Sequence, residues 1–339
     1  MGNIPNLSEK HFGQPVHHRI ALEAVTIHPG VWLRNIEESL KRMIAEQMAR
    51  FNTQGFDIVI TLIRLLKARG YEVASNDSVT TIEKALLEVA DKDIGFDATL
   101  DWHIKRHLYN TMDPRNAERL SFNWSFMDLV DHSDLRNLFD HNPQFQLFST
   151  TAFHRTDGGP WQAIHLGSEK LLQLQRTIFT CSRSLEAQLW EMFRQKDGSD
   201  EYQFLSEQPK FLRLQYKTEG QIHQKEKDLQ IINLRTPGAA HVEGSWKYFS
   251  HRGEYRLCAV VGLDKESAPE EKFERILTYT PNGEKIEVAL VGNCWIKPVT
   301  KYERDVWNAD SGDYMLYYAR TWVPKDWPKG RVQEGVPEA

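Results

Sequence analysis

Cysteine is scarce in this chain: Cys181, Cys258 and Cys294 are the three present in 339 residues. They lie far apart and form no C-x-x-C pair, which argues against a disulfide framework and against a structural zinc site built on thiolates, and suits a reducing compartment. A long apolar run is also lacking. The longest patch, FDIVITLIRLL, is interrupted by Asp57 and Arg64, so no segment reads as a membrane span. The start, MGNIPNLSEKHFGQ, has neither the basic nor the apolar region of a signal peptide. Asn6 stands where a myristoylation signal after Gly2 wants Ser or Thr, which weakens lipidation. The expected location is therefore intracellular, cytoplasmic or nuclear.

Clustered positive charge is missing as well. Forty-two basic residues face 47 acidic ones for a formal charge of -5, and the basic residues are scattered, so bulk electrostatics give no support for nucleic-acid binding. Neither the Rossmann glycine fingerprint nor a Walker A sequence occurs, which leaves nucleotide cofactors without support. What is present is an ordinary globular composition: 40% hydrophobic, 26% charged, and ten Trp within an aromatic share of 11%. Such a chain can bury a sizeable core.

Residues 1–30 read as an extended, polar arm carrying His17 and His18. From Val31 to about Asn52 the spacing of Ile36, Leu40, Met43, Ile44 and Met48 predicts an amphipathic helix. GFDIVITLIRLLKARGYEV reads as a buried helix stopped by Gly70. Asp77 or Ser78 is the expected cap of the next helix, with Glu83 in its first turns. DATLDWHIKRHLYNTM and FMDLVDHSDLRNLFDH also suit helices, so residues 31–150 form a mainly helical region.

Residues 151–322 change character. FQLFSTTAFHRTDGGPWQAIHLG alternates around a Gly-Gly-Pro turn, SLEAQLWEMFRQ is an amphipathic helix, and PKFLRLQYKTEGQIHQKEKDLQIINL reads as two strands about a turn at Glu219 and Gly220. Nearly everything from Tyr255 to Trp322 reads as β, and residues 323–339 form a loose tail rich in Pro, Gly and charge. The expected fold is α+β, with a helical N-terminal half packed on an antiparallel, aromatic sheet.

Five segments after residue 180 carry a family resemblance. They are SLEAQLWEMF from Ser184, PKFLRLQY from Pro209, YRLCAVVGL from Tyr255, RILTYTPNGEKI from Arg275 and DYMLYYAR from Asp313, spread over about 140 residues. In this order they resemble the second half of a ubiquitin-specific protease domain, the papain-like deubiquitinases. The resemblance implies that family's architecture and a Cys-His-Asp chemistry in which a thiolate attacks the isopeptide carbonyl. The triad, however, is not legible. No cysteine precedes Cys181, Arg275 stands at the position matching the histidine, and IKPVTK follows Trp295 where an acidic pair would orient the ring. The paired C-x-x-C motifs of the family's fingers are missing too. The resemblance therefore implies a protein-interaction module without catalytic residues or cofactors, with ubiquitin or another protein as partner.

Other constellations define the alternatives. His103 and His107 in DWHIKRH lie at i and i+4 on one helix face, the geometry of two zinc ligands, although Ile104 replaces the Glu of an H-E-x-x-H base and a plain helix face explains the pair. Asp128, Asp131, His132, Asp134, Asp140 and His141 fall within 14 positions. They could hold a divalent ion or do acid-base work, and helix capping accounts for the same pattern. Cys181 precedes a predicted helix, where a dipole could stabilise a thiolate within reach of His154 or His165. Buried core thiols are the commoner case. The alternatives are thus a hydrolase with a site at Cys181 or at His103 and His107, and a structural subunit docking through its helices between Val31 and Met112.

Overall fold

The computed structural model describes residues 51–52, 54–72, 79–91, 106–113, 122–123, 125–218, 226–242, 245–263, 275–284 and 312–322. The chain divides into two compact units. One comprises Met1–Asn137 with Lys285–Arg304, the other Leu138–Glu284 with Asp305–Ala339.

In the first unit, helix α1 (Gln54–Ala68) packs against α2 (Thr81–Asp91) and α3 (Phe126–Asp131), while residues 106–112 form a further helical segment. Strand β1 (Phe51–Asn52) pairs in parallel with β2 (Phe122–Asn123). The expected helix ending near Asn52 meets a strand at Phe51, and the rest of that segment lies outside the described residues. Helix α1 follows the apolar run and stops before Gly70, whose φ of 82° needs a residue without a Cβ penalty.

Asp77 and Ser78 also lie outside the described residues, and it is Thr80 that caps α2. Its hydroxyl accepts from the Glu83 N–H at 3.1 Å, and the Glu83 carboxylate accepts from the Thr80 N–H at 2.8 Å. This reciprocal box satisfies two donors at the helix start. The far end of α2 is held by Arg64, the charge that breaks the apolar run. Its guanidinium donates to Ala90 O at 2.8 Å and Val89 O at 3.3 Å, placing a cation where the helix dipole is negative.

The second unit holds two sheets. Strands β3 (Phe148–Thr156), β4 (Gln162–His165), β6 (Arg194–Asp197) and β7 (Asp200–Ser206) run in the order β4-β3-β7-β6, all antiparallel. The larger sheet has the order β11-β10-β12-β8-β5, from β5 (Ile178–Thr180), β8 (Phe211–Thr218), β10 (Ser245–Leu263), β11 (Arg275–Thr278) and β12 (Gly312–Trp322). Strand β9 (Ile231–Val242) pairs along β10, and among the described residues only β5 with β8 is parallel in this sheet. The two strands expected about Glu219 and Gly220 exist as β8 and β9. They do not pair with each other, because β12 and β10 take their edges.

Helices α4 (Ser168–Gln175), α5 (Leu185–Met192) and the short α6 (Glu226–Leu229) complete this unit. Helix α5 starts behind Ser184, whose hydroxyl accepts from the Ala187 N–H at 3.2 Å. Leu185, Leu189 and Met192 recur at i, i+4 and i+7 and enter one core with Phe148, Phe193, Phe204, Tyr216, Tyr255, Leu316 and Tyr318. The α+β class with antiparallel sheets and helices is the class expected from the sequence.

Candidate functional site

The five segments that carry the family resemblance come together in the second unit. Strands β11, β10, β12 and β8 are consecutive neighbours in the larger sheet, and α5 buries its apolar stripe in the core that this sheet lines. Alternation explains the arrangement. Val260, Leu257 and Tyr255 on β10, Leu316 and Tyr318 on β12, and Leu212 and Leu214 on β8 are all buried, as aliphatic and aromatic residues on an interior pleated surface should be. Two of the buried phenols donate to backbone carbonyls, Tyr255 to Pro209 O at 2.8 Å and Tyr318 to Leu229 O at 2.8 Å.

Arg275, at the position matching the family's histidine, begins β11, its backbone opposite Gly262 on β10. After the strand comes the expected turn, in which the Gly283 N–H donates to Thr280 O at 2.9 Å and Gly283 takes a φ of 83°. Trp295 and the IKPVTK segment lie outside the described residues, as do Cys294, His103 and the pair His17 and His18.

Cys181 follows β5 with 3% exposure, its N–H donating to Lys217 O at 3.2 Å. Three residues separate it from the first residue of α5, so it is not the capping position. Nearby Tyr216 is pushed above the usual tyrosine range, by burial first and then by the neighbouring Cys181 and Tyr314. Neither His154 nor His165 meets Cys181. His154 sits on β3 with its Nε2 at 3.0 Å from the Asp200 carboxylate and its ring 4.8 Å from that of Tyr202, while His165 is exposed on β4. Cys258 lies within β10, fully buried, its thiol donating to Tyr317 O at 3.1 Å.

The acidic and histidine-rich cluster resolves into local roles. Asp128 closes a capping box with Ser125 at the start of α3, and His132 Nδ1 accepts from the Asp134 N–H at 3.3 Å. Asp131, His141 and His107 are exposed. No group of three or more His, Cys, Asp and Glu residues among the described residues is placed to hold a metal ion.

Asp140 alone takes an unforeseen role. Its side chain is fully buried and accepts from two arginines, Arg176 at 3.0 Å and Arg213 on the opposite oxygen. Arg213 is 9% exposed, and one of its terminal nitrogens is buried without a hydrogen-bond partner. This group borders a cavity of about 20 Å³ lined mainly by Phe139, Phe145, Phe148, Phe179 and Leu212. Both arginines are remote in sequence. The one cue was a charged residue inside the otherwise apolar FLRLQY.

On the four-stranded sheet, Asp200 is held below the usual carboxylate range, first by the Thr156 hydroxyl at 2.6 Å and then by His154. A carboxyl with a lowered pKa in the folded state stabilises that state above the unfolded pKa and loses the contribution as pH falls through the folded value. Carbon-detected titration of Asp200 is expected to give a midpoint below that of an unfolded Asp, rising toward it in Thr156→Val and, less so, in His154→Gln. An unchanged midpoint in both variants would remove these bonds as the cause.

No family model matches the chain, and no curated protein matches it. Two solved structures align over most of its length, both of the apo Pan2 pseudoubiquitin hydrolase-RNA exonuclease module of Saccharomyces cerevisiae, one in complex with AAGGA RNA and the other with AACCAA RNA. The first is 11% identical with a TM-score of 0.27, covering 89% of this chain and 51% of that one. The second is 9% identical with a TM-score of 0.24, covering 87% and 51%. The chain thus spans about half the length of the structures it aligns with. Among the described residues no helix is long and apolar enough to cross a membrane.

Proposed function

We propose that the chain is a non-catalytic protein-interaction module on a deubiquitinase-like scaffold, taking ubiquitin or another protein as partner. The observation that carries this reading is the strand order β11-β10-β12-β8, which sets four of the five family-like segments side by side with the fifth, α5, on the same core. Segments spread over about 140 residues acquire a common context that strand-like composition alone would not require. The chemistry of the described residues agrees with a binding role. The strand matching the histidine's begins with an arginine, Cys181 is buried, and His154 is engaged by Asp200.

The test is a pull-down of the full chain with mono-ubiquitin and ubiquitin chains, beside a ubiquitin-derived electrophile on wild type and Cys181→Ala. Binding without labelling, retained in Cys181→Ala, is the expected result. Labelling lost in Cys181→Ala would overturn the non-catalytic reading and favour a cysteine hydrolase. Absence of both would remove ubiquitin as the partner.

A further inference from the structure

The surface where α5, β6 and β9 meet carries two guanidiniums on one indole. Arg194, at the start of β6, stands with its guanidinium carbon 5.4 Å from the Trp190 ring centroid, and Arg235, on β9, stands at 5.8 Å. Trp190 is half-buried on α5 and both arginines are exposed. Stacking on an aromatic face fixes where a guanidinium points and lowers the entropy lost when it binds. Arg235 is further held by its Nε, which donates to the Ser250 hydroxyl at 2.8 Å.

The acidic side chains nearby are committed elsewhere. Glu191 receives both terminal nitrogens of Arg183, at 2.6 Å and 2.7 Å, and Glu186 accepts from the Asn233 N–H at 2.5 Å. Neither Arg194 nor Arg235 pairs with a carboxylate among the described residues. Arg235 also faces Arg252 across the β9–β10 pair, a like-charge placement that strand pairing disfavours. Two oriented, uncompensated guanidinium forks on a chain of net charge -5 suit an anionic partner, since a planar fork matches a carboxylate in two parallel hydrogen bonds.

We propose that Trp190, Arg194 and Arg235 form a docking surface for an acidic, Glu- or Asp-bearing segment of a partner protein. A protein segment is favoured over a nucleic acid because the indole, which would have to stack a base, is already engaged by the two guanidiniums. The inference rests on the interaction-module reading and gives its partner's chemistry.

It is tested by titrating the full chain, with arginine side chains labelled with nitrogen-15, with a capped octaglutamate peptide, an octalysine peptide and a single-stranded uridine oligonucleotide. Saturable, salt-sensitive shifts of the Arg194 and Arg235 Nε–H signals are expected with octaglutamate alone. Affinity should fall about tenfold or more in Arg194→Gln with Arg235→Gln, less in the corresponding lysine variants, and by less than about twofold in Lys196→Gln. Absence of saturation, an unaltered response in the double variant, or tighter binding of the oligonucleotide would overturn the proposal. Ubiquitin labelling at Cys181 would instead sink the non-catalytic reading while leaving this binding intact, so the two failures are distinct.

Discussion

Asp140→Ala is expected to destabilise the second unit by about 3–5 kcal/mol, because it strands the Arg213 guanidinium in a low-dielectric interior without its counter-charge. Arg213 is 9% exposed and already has one buried nitrogen with no hydrogen-bond partner, so it has little water to turn to. Arg176, the other partner, is 38% exposed, and Arg176→Ala should cost no more than about 1 kcal/mol since solvent screens that arm of the pair. The double variant Asp140→Leu with Arg213→Met replaces ions by apolar side chains and should recover most of the loss, as buried ion pairs exchanged for well-packed hydrophobics commonly do. Urea unfolding followed by near-ultraviolet circular dichroism measures all three. A loss below about 1 kcal/mol for Asp140→Ala, or a double variant as weak as the single one, would show that the triad is not a buried electrostatic unit.

Phe148→Ala should cost a similar amount, about 3–5 kcal/mol, by a different mechanism. Phe148 is fully buried, with its ring centroid 5.2 Å from that of Phe193 at the end of α5 and 5.9 Å from that of Phe204 on β7. Truncation therefore removes apolar burial and two aromatic contacts and leaves a hole beside rings that cannot collapse into it. Phe148→Leu, which keeps much of the volume, should cost less, and Ile178→Ala, at 50% exposure on the edge strand β5, should stay within about 0.5 kcal/mol. If Phe148→Ala were as mild as Ile178→Ala in the same denaturation series, the contiguous core would have to be redrawn.

Legibility followed the range of the interactions. The helix over GFDIVITLIRLLKARG and its stop at Gly70 were readable because 3.6-residue periodicity and a positive φ are local properties. The hairpin β3–β4 about Gly158 and Gly159, the Ser184-capped α5 and the strand character of YRLCAVV and DYMLYYAR were readable for the same reason. FMDLVDHSDLRNLFDH, expected as one helix, ends its α-helix at Asp131, and a 3-10 turn follows over Ser133–Leu135. His132 is extended there and its ring accepts from the next turn, a competition from side-chain hydrogen bonds that periodicity does not register. Arg64 looked like a polar interruption and proved to hold the far end of α2, while Glu83, expected in the first turns of that helix, closes its capping box with Thr80 and also accepts from Asn137 at 3.3 Å.

The site was less legible than the fold. Asp140 was one of six acidic or imidazole residues in a stretch that suggested metal binding, and its neighbours in that stretch turned to caps and solvent. Its arginines come from 36 and 73 residues downstream, separations at which sequence spacing carries no information on contact. Trp190, Arg194 and Arg235 likewise meet because α5 packs against β9.

By itself the sequence determined the α+β class and the apolar stripes and strands that must be buried. These follow from composition and from periods of two and 3.6 residues, which the backbone imposes within a few positions. Only the tertiary structure decided that β8 pairs with β12 instead of β9, that Asp140 is buried between two arginines, and that two guanidiniums share one indole. Those outcomes depend on which remote surfaces exclude water together, a choice made by the whole core.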